Sequence, residues 1–330
     1  MEKRFNISSI LNDGERLIPF ISHDDAETVR HLSSHFFFRD IINKDANITN
    51  NTSQSVLDLG FGTGYASFIY ANLDTVGKVK SIDVSDELLE WAIENYFNKK
   101  IDYEIRDAVK YLKNLKQPYN YVVTRHVLEH IKDGLNIISE NNFSDRLLIN
   151  VPYNEKKGNP HHIITGITEK NFPKFNNVEF FYEDLDGNTY NRIPKGIFIN
   201  SIICIASKPG LPKVSSYFKF PIKSARITEI YQILAKNNYN FIDNILRVQL
   251  SRGLNYKSHI VELDELKVKY STLITENHKL KNEFDNLKSK YKLIESSLLM
   301  AKVQIDEITS SKRWKYSSKI IDMIRKLQGQ

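Results

Sequence analysis

A run of alternating glycines near residue 60 is the stretch of this chain best suited to bind a small ligand. Its pattern is acid-x-Gly-x-Gly-x-Gly, formed by Asp58, Gly60, Gly62 and Gly64. The apolar residues among 56–59 predict a buried strand, and residues 65–73 predict a helix. Because glycine has no Cβ, a ligand can lie close to the backbone of the turn between them. The motif therefore predicts a ligand site at the end of a strand.

Two further acids follow the next predicted strands. Asp83 lies at the end of the predicted strand 79–84, and Asp107 follows a short predicted strand at 103–106. An acid at the end of the second strand can bind ribose hydroxyls, as in dinucleotide-binding folds. Asp107 can also act as the N-cap of a helix predicted over 108–115, and the two roles are compatible.

Histidines are the candidates for proton transfer. His130 lies in the segment HVLEHI, and His161 and His162 lie together in a predicted loop over 153–167. Imidazole titrates near neutral pH and can act as a general base, so all three are candidate catalytic residues. We favour the loop pair over His130. The alternative is that the pair consists of two surface histidines in a turn.

The segment HVLEHI also contains candidate metal ligands. Glu129 and His130 are adjacent and both residue types bind metals. The HExxH spacing of zinc enzymes is absent, however, and no third ligand cluster is visible in the sequence. The sequence therefore predicts no metal site.

The order of these motifs resembles the class I methyltransferases, which use S-adenosyl-L-methionine (SAM). A dinucleotide site would instead have GxGxxG with an acid about 20 residues later. HVLEHI resembles the block after the fourth strand in many small-molecule and glycan methyltransferases. The GER-x-x-P element at 14–19 resembles the N-terminal lid of a group tied to bacterial surface-glycan synthesis, although Glu15 and Arg16 could also be surface charges near a turn.

The resemblance covers about residues 14–207 and implies specific roles. The acid at Asp58 would hold the amino group of the cofactor's methionine end, often through water. Asp83 would bind the ribose hydroxyls, and Asp107 would contact the adenine amino group. The cofactor-binding residues that it implies are Asp58, Gly60, Gly62, Gly64, Asp83, Val84, Asp107, Ala108 and His126.

Alternating strand and helix patterns predict an α/β fold, namely a doubly wound, Rossmann-like, seven-stranded methyltransferase sheet followed by a long C-terminal coiled-coil helix. Other predicted elements are helices at 24–43 and 168–175 and strands at 119–125, 146–151, 178–183 and 197–207. Five regions are predicted: an N-terminal lid or helical segment 1–54, a methyltransferase domain 55–208, a linker with short helices 209–257, a parallel coiled coil 258–310 and a basic amphipathic tail 311–330.

Apolar residues alternate at spacings of three and four from residue 263 to residue 308, which predicts a coiled coil. Asn277 occupies an a position, where a polar residue fixes register. The alternative is one amphipathic helix folded back on the domain, but that would not explain the matched g and e′ charges. Those charges favour a parallel homodimer or homotrimer, through Glu262 with Lys267, Glu276 with Lys281, Glu283 with Lys288, and Lys290 with Glu295.

The net charge of +6 is concentrated at the C-terminal end, where residues 309–330 contain six basic residues and one acid. A basic amphipathic helix suits an anionic membrane surface, and a solvated coil terminus is the alternative. Because this charge lies away from the motifs, we expect no nucleic-acid partner.

Cys204 is the single cysteine, which predicts a reducing compartment. With neither a signal-peptide pattern nor a membrane-length apolar run, we expect a cytoplasmic protein.

The sequence thus predicts a SAM-dependent methyltransferase. The expected acceptor is a sugar hydroxyl of a bacterial surface glycan or its precursor, at the cytoplasmic face of the inner membrane. One alternative is a methyltransferase of a lipid or other small molecule. A non-catalytic coiled-coil scaffold is a third hypothesis, and the intact set of acids and glycines argues against it.

Overall fold

The structure is a computed structural model that describes residues 16–21, 25–235, 257–327 and 329. The chain divides into two compact units, Met1–Gly253 and Leu254–Gln330. Gly14 and Glu15 of the GER element and residues 236–256 of the predicted linker with short helices lie outside the described residues.

The described part of the first unit contains one sheet of nine strands in the order β3-β2-β1-β4-β5-β8-β6-β7-β9. The strands are β1 Gln54–Leu59, β2 Val76–Asp83, β3 Ile101–Ile105, β4 Tyr119–Arg125, β5 Phe143–Pro152, β6 Val178–Asp184, β7 Asn188–Tyr190, β8 Ile199–Ser207 and β9 Ile222–Lys223. Within its described residues, the α-helices of this unit are α1 Asp25–Thr49, α2 Tyr65–Ala71, α3 Asp86–Asn95, α4 Ala108–Lys113 and α5 Ile227–Ala235.

Strands β1 to β5 are parallel, and β8, β6, β7 and β9 continue the sheet with antiparallel pairings. The order 3-2-1-4-5 confirms the predicted doubly wound, Rossmann-like α/β arrangement. The predicted count of seven strands is wrong. The additional strands, β7 and β9, contain three and two residues, too few to produce an alternating apolar pattern.

Both faces of the parallel sheet are covered, which explains why its strands are apolar almost throughout. Val56 packs in one cluster with Phe37 of α1 and Tyr70 of α2. Leu57, the next residue of the strand, packs in another cluster with Leu112 of α4. Asp58 alternates back to the face of Val56, which places it beneath α2.

A buried ion pair holds α1 against the sheet. Arg146 of β5 donates to both carboxylate oxygens of Asp45, at 2.7 and 3.0 Å. Tyr121 and Tyr217 donate further hydrogen bonds to the same carboxylate, at 3.1 and 2.6 Å. This network explains why α1 continues to Thr49, beyond the end predicted at residue 43, because Asp45 is a buried partner and not part of a loop.

The helix predicted over 168–175 is also wrong. The structure has only one 3₁₀ turn there, Glu169–Asn171, with reciprocal hydrogen bonds between Thr168 and Asn171. Phe172 is extended, at φ −76° and ψ 148°. Pro173 follows it, and a residue before proline disfavours the helical conformation.

The second unit contains a 54-residue helix, α6 Lys257–Ser310, followed by α7 Lys312–Leu327. Several apolar side chains at the predicted seam of α6 are exposed in the single chain, namely Phe284, Leu287, Tyr291, Ile294 and Leu298. The helix itself is confirmed, and its association with a second copy stays a prediction. None of the helices within 25–235 and 257–327 has the combined length and apolarity that a bilayer crossing demands.

Candidate active site

A cavity of about 620 Å³ lies where the carboxyl ends of the parallel strands meet. Its volume is in the range of small-molecule binding sites, and its position is the usual ligand site of doubly wound sheets. Nine of the predicted site residues line it: Gly60, Gly62, Asp83, Val84, Asp107, Ala108, His126, His130 and His161. Asp58, Gly64 and His162 are not among the lining residues.

The glycine turn presents bare backbone to this cavity. Gly62 has φ +54°, and a Cβ added there would meet no atom within 4 Å. Its N–H donates to Asp83 Oδ2 at 2.9 Å. Gly60 serves a different purpose, because a Cβ there would lie 2.3 Å from Val127 Cγ2. The turn can therefore accept a ligand at Gly62 while Gly60 packs against the segment after β4.

Asp83 connects the glycine turn to the start of α3. Its Oδ1 accepts from the Ser85 N–H at 3.0 Å, while Oδ2 accepts from Gly62. Burial raises the pKa of this carboxyl, and the backbone donors oppose that shift. A carboxylate oxygen accepts more than one hydrogen bond, so Asp83 can also accept from hydroxyls of a ligand in the cavity.

Asp107 is the N-cap of α4, as predicted. Its Oδ1 accepts from the Lys110 N–H at 2.8 Å, and its backbone is extended, with φ −71° and ψ 123°. Asp107 and Ala108 line the cavity beside Val84, which follows the neighbouring strand β2. Because the cap uses one oxygen of the carboxylate, the predicted ligand role stays compatible with the structural one.

Asp58 lies behind the turn, with an exposed fraction of 1%. Ser67 Oγ of α2 donates to Asp58 Oδ2 at 2.6 Å, and Ser81 Oγ donates to Ser67 Oγ at 2.8 Å. Burial raises the pKa of Asp58 to about 7, and the bond from Ser67 partly offsets this. Asp58 therefore anchors α2 beneath the turn, and its predicted contact with a cofactor amino group stays a prediction.

The predicted catalytic histidines lie close together. His130 Nδ1 is 2.9 Å from the carbonyl oxygen of His161. The rings of His130 and His162 meet edge to face, with centroids 4.9 Å apart. His162 Nδ1 hydrogen-bonds the Glu155 carboxylate, and its Nε2 is 3.2 Å from Asn159 Nδ2. His130 and His161 thus reach the cavity, whereas His162 lies behind them.

His126 occupies an unusual backbone position directly after β4. Its φ is +51°, a left-handed value uncommon for residues other than glycine. Its Nε2 is 3.3 Å from Ser201 Oγ, and its Nδ1 is 3.8 Å from Glu129 Oε1. Burial lowers its pKa well below the ordinary value, and the Arg125 charge lowers it further. The His126 side chain is therefore uncharged at pH 7 and forms part of the cavity wall.

Sequence reasoning missed a polar side of the cavity, formed by Arg125, His31 and His35. Arg125, the last residue of β4, donates to Ser34 Oγ at 3.0 Å and lies 3.4 Å from His31 Nδ1. His31 and His35 of α1 line the cavity with it. The available signal was an arginine at the end of a strand whose central residues, Tyr121, Val122 and Val123, are buried and apolar. The histidines of α1 left no such signal, because only the tertiary structure brings that helix to the strand ends.

The structure also adds a third residue to the Glu129–His130 pair. One ligand atom from each of Glu129, His130 and His162 lies within 4.8 Å of the others. The prediction of no metal site depended on the absence of a third ligand. His162 lies 32 positions beyond His130 in the chain, so no local motif could have indicated it.

Comparison with known proteins identifies part of the chain. Residues 50–193 match the family model described as "Methyltransferase domain", which includes every motif from Asp58 to His162. This segment of the chain is thus similar to a methyltransferase domain. No curated protein matches the sequence.

Several solved structures are similar. The methyltransferase domain of bacterial CtHen1-CN covers 52% of this chain and 100% of its own, at 14% identity and a TM-score of 0.38. Magnesium protoporphyrin IX methyltransferase (ChlM) from Synechocystis PCC 6803, solved with bound SAH, covers 53% and 84%, at 16% identity and a TM-score of 0.36. WbdD covers 61% of this chain and 47% of its own, at 10% identity and a TM-score of 0.45.

Proposed function

We propose that this protein is a SAM-dependent methyltransferase. The observation that carries the proposal is the cavity at the strand ends, which is lined by the open backbone of Gly62 and by Asp83 and Asp107, all within the segment that matches a methyltransferase domain. A glycine turn and acids on neighbouring strands fit a ligand that combines an amino acid, a ribose and a base.

In this proposal the cofactor lies across the ends of β1, β2 and β3. The turn at Gly60 and Gly62 accommodates its methionine end, and Asp83 accepts hydrogen bonds from the ribose hydroxyls. Asp107 lies at the adenine end. The cofactor supplies an electrophilic methyl carbon, so the protein mainly aligns the acceptor and excludes water.

The proposed acceptor is a sugar hydroxyl of a bacterial surface glycan or its precursor. The supporting observations are the resemblance of HVLEHI and of the 14–19 element to glycan methyltransferases, and the histidines at one side of the cavity. His161 is exposed and lines the cavity. It is therefore the best-placed residue to accept the hydroxyl proton.

Binding of SAM to the full chain tests the cofactor. We expect calorimetry to detect SAM and its demethylated product with one site per chain, and NAD not to bind. Absence of SAM binding at millimolar cofactor would favour the scaffold hypothesis. Incubation of labelled SAM with separate glycan and lipid fractions of a bacterial envelope then tests the acceptor. Label in the lipid fraction alone would favour the lipid alternative.

We further propose that the second unit forms a parallel coiled-coil dimer or trimer. Its support is the 54-residue α6, in which described seam residues such as Leu287 and Ile294 are exposed in the single chain. The basic helix α7 would contact an anionic membrane surface from the cytoplasmic side. Sedimentation of the chain lacking residues 254–330 should give a monomer, while the full chain should sediment as an oligomer. A truncated chain that still associates would contradict the coiled-coil proposal.

A further inference from the structure

We propose that Glu129, His130 and His162 form a binding site for one divalent transition-metal ion at the wall of the cavity. The three residues bring a carboxylate and two imidazoles within 4.8 Å of one another. One of them, His130, also lines the cavity, so an ion at this site would be accessible from it.

The types of ligand favour a transition metal. Two imidazoles and one carboxylate match catalytic zinc sites and the two-histidine, one-carboxylate sites of iron enzymes, both of which leave a coordination position open. Magnesium and calcium prefer sites made of oxygen ligands. We therefore expect Zn²⁺, Co²⁺ or Mn²⁺ to bind, and Mg²⁺ to compete poorly.

The imidazoles already have the outer hydrogen bonds of metal-binding histidines. His130 Nδ1 lies 2.9 Å from the carbonyl oxygen of His161, which can only accept, so Nδ1 carries the proton. In neutral His130 the lone pair is therefore on Nε2. His162 Nδ1 likewise faces the carboxylate of Glu155. A carbonyl or carboxylate behind each ring fixes its tautomer and orientation in many metal sites.

The backbone connects the two halves of the site. The carbonyl oxygen of Glu129 accepts from the N–H groups of Ile163 and Ile164, at 2.9 and 3.0 Å. The segment that carries His162 is thus attached directly to the residue that would supply the carboxylate. The Glu129 side chain is fully buried, and a buried carboxylate suits coordination of a cation.

Metal binding requires a modest contraction of the cluster. Metal–nitrogen bonds of about 2.0–2.1 Å in tetrahedral geometry separate ligand atoms by about 3.3 Å, less than the 4.8 Å limit within which they now lie. The hydrogen-bond distance between His162 Nε2 and Asn159 Nδ2 is 3.2 Å. This contact must open for Nε2 to bind the ion. Both residues belong to a connecting segment outside the sheet, where such adjustment is least costly.

The role of the ion rests on the proposed methyltransferase function. At the cavity wall it would polarise the acceptor hydroxyl and lower its pKa. The hydroxyl proton passes to His161, and the oxygen attacks the methyl carbon. The carbon–sulfur bond breaks as the oxygen–carbon bond forms, and its electron pair stays on sulfur. The products are the methyl ether and the neutral thioether.

The test uses the full chain after removal of metals with a chelator. Titration with Co²⁺, followed by its absorption spectrum, and with Zn²⁺, followed by calorimetry, should show one ion per chain. The change in the Co²⁺ spectrum on binding should report imidazole ligands, and millimolar Mg²⁺ should not displace the ion.

Matched variants locate the site. We expect His162→Ala and Glu129→Gln each to weaken Co²⁺ binding about tenfold or more. His161→Ala is the control, because it removes an adjacent histidine outside the cluster and preserves the carbonyl that orients His130. Circular dichroism checks that each variant folds.

Two results would overturn the proposal: absence of Co²⁺ and Zn²⁺ binding to the wild-type chain at millimolar metal, or equal binding by the wild-type chain and both cluster variants. Neither depends on SAM. Calorimetry of the chelated protein with SAM separates the two proposals, because SAM binding without metal binding would reject only the metal site, and metal binding without SAM binding would reject only the methyltransferase.

Discussion

The two sides of the cavity are built in different ways. The glycine side is formed by the turn after β1, by Asp83 at the end of β2 and by Asp107, two residues beyond the end of β3. The histidine side combines α1, the end of β4 and the segment around His161. One side is thus local in sequence and held by backbone hydrogen bonds, whereas the other depends on side chains from distant segments. In the proposed methyltransferase, the glycine side would bind SAM and the histidine side would determine the acceptor.

The strongest test of this division is Gly62→Val. Valine at φ +54° is strained, and its side chain would enter the space where the ligand approaches the backbone. We expect SAM affinity to fall about 1,000-fold or more, equivalent to about 4 kcal/mol. Calorimetry measures the effect.

Gly196→Val is the matched control for this substitution. Gly196 also has a positive φ, +76°, and open space around its Cβ position, but it does not line the cavity. If both variants lose SAM to the same extent, the effect of Gly62→Val reflects general strain and not a ligand site.

A smaller effect, on catalysis alone, is expected from His161→Ala. If His161 accepts the acceptor proton, its loss should lower kcat about 100-fold. SAM affinity should stay within about twofold, because His161 lies on the histidine side. Steady-state kinetics and calorimetry on the same preparation measure the two quantities. A parallel fall in SAM affinity would mean that the two sides are not separate in function.

The smallest effect is expected from Asp58→Asn. This substitution tests whether Asp58 acts on the stability of the fold. Burial raises the pKa of Asp58 to about 7 in the folded chain, above that of an exposed aspartate. The folded state therefore binds more protons between about pH 4 and pH 7, so the free energy of unfolding falls as pH rises through that window. The Asp58→Asn substitution removes this dependence, and the new amide oxygen can still accept from Ser67. We expect the variant to be about 2 kcal/mol more stable than wild type at pH 8, with little difference at pH 4.

Denaturant unfolding at both pH values measures this difference. Asp74→Asn, at an exposed aspartate, is the control and should change stability little at either pH. If the free energies of unfolding of wild type and Asp58→Asn differed by the same amount at pH 4 and at pH 8, the raised pKa of the buried Asp58 carboxyl would be contradicted.

The glycine side and the histidine side of the cavity also differ in how far the sequence could predict them. Asp83 and Asp107 could be placed from sequence because a parallel sheet brings the ends of its strands to one edge. Asp58 could be identified as part of the motif, but its burial against Ser67 depends on how α2 packs. The cluster with His162 and the contact of Arg125 with α1 required the tertiary fold, because the partners are far apart in the chain. The helix expected at 168–175 failed for a local reason, namely the proline at 173.

The ion pair between Asp45 and Arg146 constrains the position of α1, and so the position of the α1 histidines that line the cavity. Asp45 lies ten residues beyond His35 on the same helix, or about 15 Å along its axis. If α1 moved by one turn along its axis, Asp45 and Arg146 would become unpaired charges in the apolar interior. The ion pair therefore fixes how far His31 and His35 extend into the cavity. In the proposed methyltransferase, a change at position 146 would therefore alter which acceptor binds, although Arg146 does not line the cavity.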